Sequence, residues 1–135
     1  MAILLKTVAR KNPLDKDAAP KYYPVQSTIK QVDETTVAEL IADETTLNPA
    51  EALMAIRQLR KIVVRQLLDS KSVKLGNWGS FSVTLKTEGS DTAANVKATN
   101  VKQVSIRFTA GEELKESLQK AEFEWYERSK AKNKG

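Results

Sequence analysis

The stretch V-K-L-G-N-W-G-S-F-S-V, residues 73–83, sets two glycines, a Trp and a Phe between two runs that alternate apolar and polar residues. Two chemistries suit such a turn. Glycines that let backbone amides close on an anion make a phosphate loop, but that device needs a Lys-Ser/Thr pair and then a helix. Neither follows here, where Phe81, Val83 and Leu85 continue with a period of two. The stretch therefore reads as a hairpin: Val73 and Leu75 lie on one strand, Phe81, Val83 and Leu85 on the other, and Gly76-Asn77-Trp78-Gly79 forms the joint. Its glycines supply the positive φ of the turn, and Trp78 and Phe81 fill a core.

Upstream the period is helical. Asn48 is placed as an N-cap, Pro49 at the first helical position and Glu51 in the first turn, which predicts a long helix over about 49–69. Its apolar residues Leu53, Ile56, Leu59, Ile62, Val63 and Leu67, widened by Val64 and Leu68, make a stripe too broad for one shallow contact. Burial against two surfaces follows, one of them possible ground for a second subunit. Thr36-Val37-Ala38-Glu39 has capping-box form and predicts a shorter helix with Val37, Leu40 and Ile41 on its apolar face. Before it, residues 2–10 read as a strand closed by Asn12-Pro13, and Tyr22, Tyr23 and Val25 around Pro24 as a second extended segment confined to a sheet edge.

Downstream lies a polar stretch, T-E-G-S-D-T-A-A-N-V-K-A-T-N-V-K, residues 87–102. Alternation then resumes, with Val104, Ile106 and Phe108 inward and Ser105 and Arg107 outward. Between Phe81 and Phe108 lie 26 residues, enough for a two-stranded ribbon reaching past the body. Such an arm is either a long flexible hairpin or a finger that reaches around something. Thr109-Ala110-Gly111-Glu112 predicts a last helix with Leu114, Leu118, Ala121 and Trp125 on one face, and the closing residues predict a basic, mobile end. No repeat is visible.

Composition narrows the chemistry. The 135 residues suit one domain with its own core, 41% of them hydrophobic and 29% charged. With no Cys and no His, thiolate and imidazole chemistry are closed, and Asp43-Glu44 and Glu112-Glu113 read as helix-end charges rather than catalytic carboxylates. We expect no enzyme, no metal site, no cofactor and no small-molecule substrate. The first residues lack the length and cleavage pattern of a secretory signal, and no apolar run spans a bilayer, so the expected location is cytoplasmic, without a membrane partner.

The net charge of +5 is zoned. Residues 31–55 carry six acids and no Lys or Arg, whereas 56–75 carry Arg57, Arg60, Lys61, Arg65, Lys71 and Lys74 against Asp69 alone. A polyanion partner and a merely solvated basic face both account for this.

From about Thr35 to Glu122 the chain resembles the HU/IHF family of bacterial histone-like DNA-binding proteins. The resemblance rests on V-K-L-G-N-W-G-S-F-S-V, similar to the family's V-x-L-x-G-F-G-T-F, on I-R-F-T-A-G-E-E-L-K-E-S-L, residues 106–118, similar to its P-x-F-x-x-G-x-x-L-K-x-x-V, and on their spacing. The leading I-L-L-K-T-V-A-R-K-N-P and K-Y-Y-P segments resemble a variant branch with an N-terminal strand extension. What this implies is an α+β, HU/IHF-like fold: a helical base, a β-sheet saddle and a protruding β-ribbon arm in an intertwined homodimer that embraces the minor groove of double-stranded DNA in the nucleoid. Binding would rest on phosphate neutralisation rather than base readout. The expected phosphate contacts are Lys86, Lys97, Lys102 and Arg107, with Lys74 beside them; Arg57, Arg60, Lys61 and Arg65 either reach flanking DNA or meet solvent. The expected organisation is a β extension over 1–30, a DNA-binding domain over 31–125 and a basic flexible tail over 126–135. The chain departs from the family at the arm tip, where Ser90-Asp91-Thr92-Ala93-Ala94-Asn95 has no Pro to wedge between base pairs, and at Glu112, where a basic residue is common. Weaker bending and lower affinity follow. A rival expectation is an HU-like interaction module that has lost DNA binding and pairs with another chain through its strands.

Overall fold

The computed structural model describes residues 1–126. Its order is β1 (Ile3–Arg10), β2 (Lys21–Gln26), α1 (Glu34–Glu44), α2 (Pro49–Leu68), β3 (Val73–Leu75), β4 (Gly79–Thr87), β5 (Val101–Ala110), α3 (Glu112–Gln119) and β6 (Phe123–Trp125). The mixture is α+β. Contacts divide it into two units, one of residues 1–31 with the chain from Leu118 onward, the other Val32–Ser117.

In the Val32–Ser117 unit, α2 starts where its local signals place it. The Asn48 side chain accepts from the Glu51 amide at 2.8 Å and donates to Glu51 Oε1 at 2.6 Å, with Pro49 inside the first turn. The helix stops in a Schellman turn. The Lys71 and Ser70 amides reach the Gln66 and Leu67 carbonyls, and Ser70 takes the left-handed φ of 59° that this closure demands. For α1 the cap differs from expectation: Asp33, not Thr36, is the N-cap, accepting from the Thr36 amide at 2.9 Å. A carboxylate one turn earlier outcompetes the hydroxyl, because it also meets the helix dipole with charge. The two helices pack on each other and bury Ala38 and Ala52, while Val37 and Leu40 of the expected face stay exposed.

The sheet of this unit runs β3-β4-β5, antiparallel throughout. The quoted corner joins β3 to β4 as expected, through a 3-10 turn at Gly76–Trp78 with Gly76 at a φ of 57°. The corner is then locked from the far side. The Gly111 amide donates to the Trp78 carbonyl at 2.9 Å, and a Cβ on Gly111 would collide with the Asn77 carbonyl. Trp78, Phe81 and Phe108 form a tilted triad with ring centroids 5.0–6.2 Å apart. It is not a closed core: Trp78 remains 47% exposed, and Val104, Ile106 and Phe108, expected inward, are exposed as well. Alternation set their common face correctly, but within this unit no described element covers it.

In the other unit β1 pairs antiparallel with β2 and parallel with β6, in the order β2-β1-β6. Pro24, which has no amide to donate, sits on the edge strand as its chemistry requires. Trp125 is not on the last helix. That helix ends at Gln119, and Trp125 belongs to β6 in register with Leu5, because strand pairing with β1 overrides a helical spacing that Ala121 and Trp125 satisfy only in sequence. From residue 127 on, the expected basic tail lies outside the described residues.

Candidate nucleic-acid interface

The β4–β5 ribbon presents two unlike faces. Register places Phe81 against Phe108, Val83 against Ile106 and Leu85 against Val104, so one face is an apolar ladder. Leu85, Val104 and Ile106 are 56–61% exposed on it. The other face carries Ser80, Ser82, Thr84 and Lys86 opposite Thr109, Arg107, Ser105 and Gln103, with Lys74 of β3 paired to Ser80. Lys74, Arg107 and Lys86 therefore share this polar face. Lys86 lies four residues along β4 from the partner of Arg107, about 13 Å at the rise of a strand.

Two further expected residues stand apart from these three. Lys102 is the β5 residue left without a register partner at the shift between Lys86 and Thr87, and its Nζ lies 3.4 Å from Glu88 Oε2. Lys97 belongs to the tip, residues 88–100, which is a tied loop rather than an extended ribbon. Asn100 ties it: its Oδ1 accepts from the Lys97 amide at 2.8 Å, and its Nδ2 donates to the Glu88 carbonyl and to Ser90 Oγ, both at 2.9 Å. The Asn100 carbonyl also accepts from the Glu88 amide, while 3-10 turns at Ala93–Asn95 and Ala98–Asn100 fold the intervening chain. Hydrophilic sequence here meant local hydrogen bonding, a pattern without hydrophobic periodicity to announce it.

The basic zone of α2 resolves into two parts. Glu34 on α1 holds Arg57 at 3.1 Å and Arg60 at 3.0 Å, so two of the four cations are committed within the protein. With Lys61, Arg65, Val64 and Leu68 they line a shallow concavity of about 630 Å³. Sequence reasoning did not find a second cationic group. In the β1–β2 hairpin Arg10 is the direct cross-strand partner of Lys21, and the Arg10 guanidinium lies over the Tyr23 ring, 5.8 Å from its centroid. The missing signal was register. Once T-V-A-R and K-Y-Y-P are paired as a hairpin, the two cations must meet.

Among the described residues no group of three or more acids comes together to hold a metal ion, and no helix is long and apolar enough to cross a membrane. The family HU-HIG, described as an HU domain fused to wHTH, Ig, or glycine-rich motif, matches residues 1–125. A crystal structure from Bacteroides vulgatus, named "Putative bacterial DNA binding protein", has a similar fold, with a TM-score of 0.63 at 13% sequence identity. The similarity covers 92% of this chain and 48% of that one, so the chain spans about half the length of that protein. No curated protein matches it.

Proposed function

The chain belongs to the HU-HIG family of HU domains fused to further motifs, and on that premise we propose that it binds double-stranded DNA as a homodimer, with little reading of sequence. One observation carries the proposal: the β4–β5 ribbon has an uncovered apolar ladder on one face and Lys74, Lys86 and Arg107 on the other. A face of that kind, with Leu59, Ile62 and Leu68 also exposed on α2, is suited to a second copy of the chain. Two copies would form the saddle and present two arms. In this reading residues 31–125 hold the duplex-binding body, 1–30 are an added β element, and Lys86, Lys97, Lys102, Arg107 and Lys74 neutralise phosphates. The protein acts in the nucleoid and performs no catalysis. Lys102 contributes less than Lys86, since Glu88 already engages it. A tip closed on Asn100 and without Pro bends DNA weakly.

The test is anisotropy with a duplex of about 40 base pairs across a salt series, alongside light scattering. The logarithm of affinity is expected to fall with that of salt by about 0.9 per phosphate neutralised. Affinity indifferent to salt, or a monomeric mass at every concentration, would sink the assignment.

A further inference from the structure

We infer that the loop end of the β1–β2 hairpin is a second phosphate-binding cradle, one that takes a duplex backbone independently of the arm. The inference rests on the DNA-binding reading above. Its ground lies in an arrangement that costs the fold something. Arg10 and Lys21 stand directly opposite each other across the two strands, and like charges in that position repel. Lys11 follows at once, and Lys6 lies on the same strand face two side chains back.

Among the described residues no carboxylate forms an ion pair with them. Asp15 and Asp17 lie in the connecting loop, yet neither forms an ion pair with Arg10, Lys11 or Lys21, and the Asp15 carboxylate is turned to the Asp17 amide at 3.1 Å. Arg10, Lys11, Asn12, Lys21 and Tyr23 instead line a concavity of about 630 Å³ into which no acid enters. The Arg10 guanidinium lies over the Tyr23 ring, 5.8 Å from its centroid, a cation–π contact that favours this placement, and its planar fork matches the oxygens of a phosphodiester. A fold that sets three cations around a hollow, places one over an aromatic ring and, among the described residues, lines the hollow with no acid is organised for an anion supplied from outside. The duplex backbone is the anion whose regular charge such a cluster fits.

The experiment compares the wild type, the variant Arg10→Gln/Lys11→Gln/Lys21→Gln and the arm variant Lys86→Gln/Arg107→Gln on the same duplex across a salt series. A charge-keeping control, Arg10→Lys/Lys21→Arg, accompanies them. The hairpin variant should bind with a salt slope shallower by about 2 to 3 per chain. The charge-keeping control should retain the wild-type slope. Loss of like-charge repulsion should leave the melting temperature of the hairpin variant unchanged or higher, which separates lost contacts from lost fold. A hairpin variant with the wild-type slope overturns the cradle alone, whereas a wild type that never binds the duplex overturns the reading beneath it. Inorganic phosphate at matched ionic strength is the last arm: it should compete at the hollow and remove the same part of the slope, whereas a hairpin variant that loses phosphate binding but keeps the wild-type duplex slope assigns the hollow to a small free phosphate and overturns the duplex assignment.

Discussion

The concavity on α2 and the one at the β1–β2 hairpin are each about 630 Å³, and both are lined by cations. One carboxylate separates them. Glu34 reaches from the first turn of α1 and takes Arg57 and Arg60, so half of that cluster is neutralised within the protein and helps to hold α1 against α2. Arg10, Lys11 and Lys21 have no such acid among the described residues, and Arg10 and Lys21 stand opposite each other. The contrast teaches that a basic zone read from composition is not one property. The same residue types are structural where an acid is supplied and available where it is withheld.

The severest way to break this contrast is to unseat the unit that holds the α2 concavity. Gly111→Ala forces a Cβ into the Asn77 carbonyl, a backbone group that cannot swing away. Urea unfolding should show a loss of about 2–4 kcal/mol. Next in size is the transplant of an acid. Ala19, exposed at the hairpin concavity, changed to Glu would do there what Glu34 does on α2, and duplex affinity at low salt should fall about tenfold. Unaltered affinity would dissolve the distinction. The reciprocal change, Glu34→Gln, releases Arg57 and Arg60. Because these pairs are partly solvated, its cost in denaturant is expected to stay within about 1 kcal/mol. The salt slope of duplex binding should hold; a steeper one would place the α2 cluster among the DNA contacts and end its structural assignment. The smallest effect comes from Ser70→Gly, which relieves a left-handed residue at the end of α2 and should raise the unfolding free energy by about 0.5–1 kcal/mol with binding untouched.

What the residues disclosed in advance was local. Asn48-Pro49 with Glu51 announced the start of α2 because a cap is read within one turn, and Pro24 announced an edge because its ring removes a ladder donor. The glycine corner was legible for the same reason, its turn and both strands lying within residues 73–83. Features decided by distant partners were not. Trp125 looked helical until β1, from the other end of the sequence, paired with it. The tip loop depends on Asn100 meeting Glu88 and Ser90, contacts that leave no periodic trace. Of the candidate site, alternation put Lys86 and Arg107 outward and register confirms that they share a face. It could not show Lys102 turning to Glu88, nor Arg10 meeting Lys21.

The parallel pairing of β1 with β6 bears on how the molecule is made. Ile3 cannot receive its neighbour Phe123 until nearly the whole described chain has left the ribosome, so the β1–β2 hairpin emerges first with one side of β1 unzipped. Contacts of such long sequence separation form late and slowly, and an unzipped strand invites pairing with a neighbouring nascent chain. Lys6 and Arg10 on that strand, repelling their counterparts on another copy, would then protect the polypeptide during synthesis before they serve it in the finished fold.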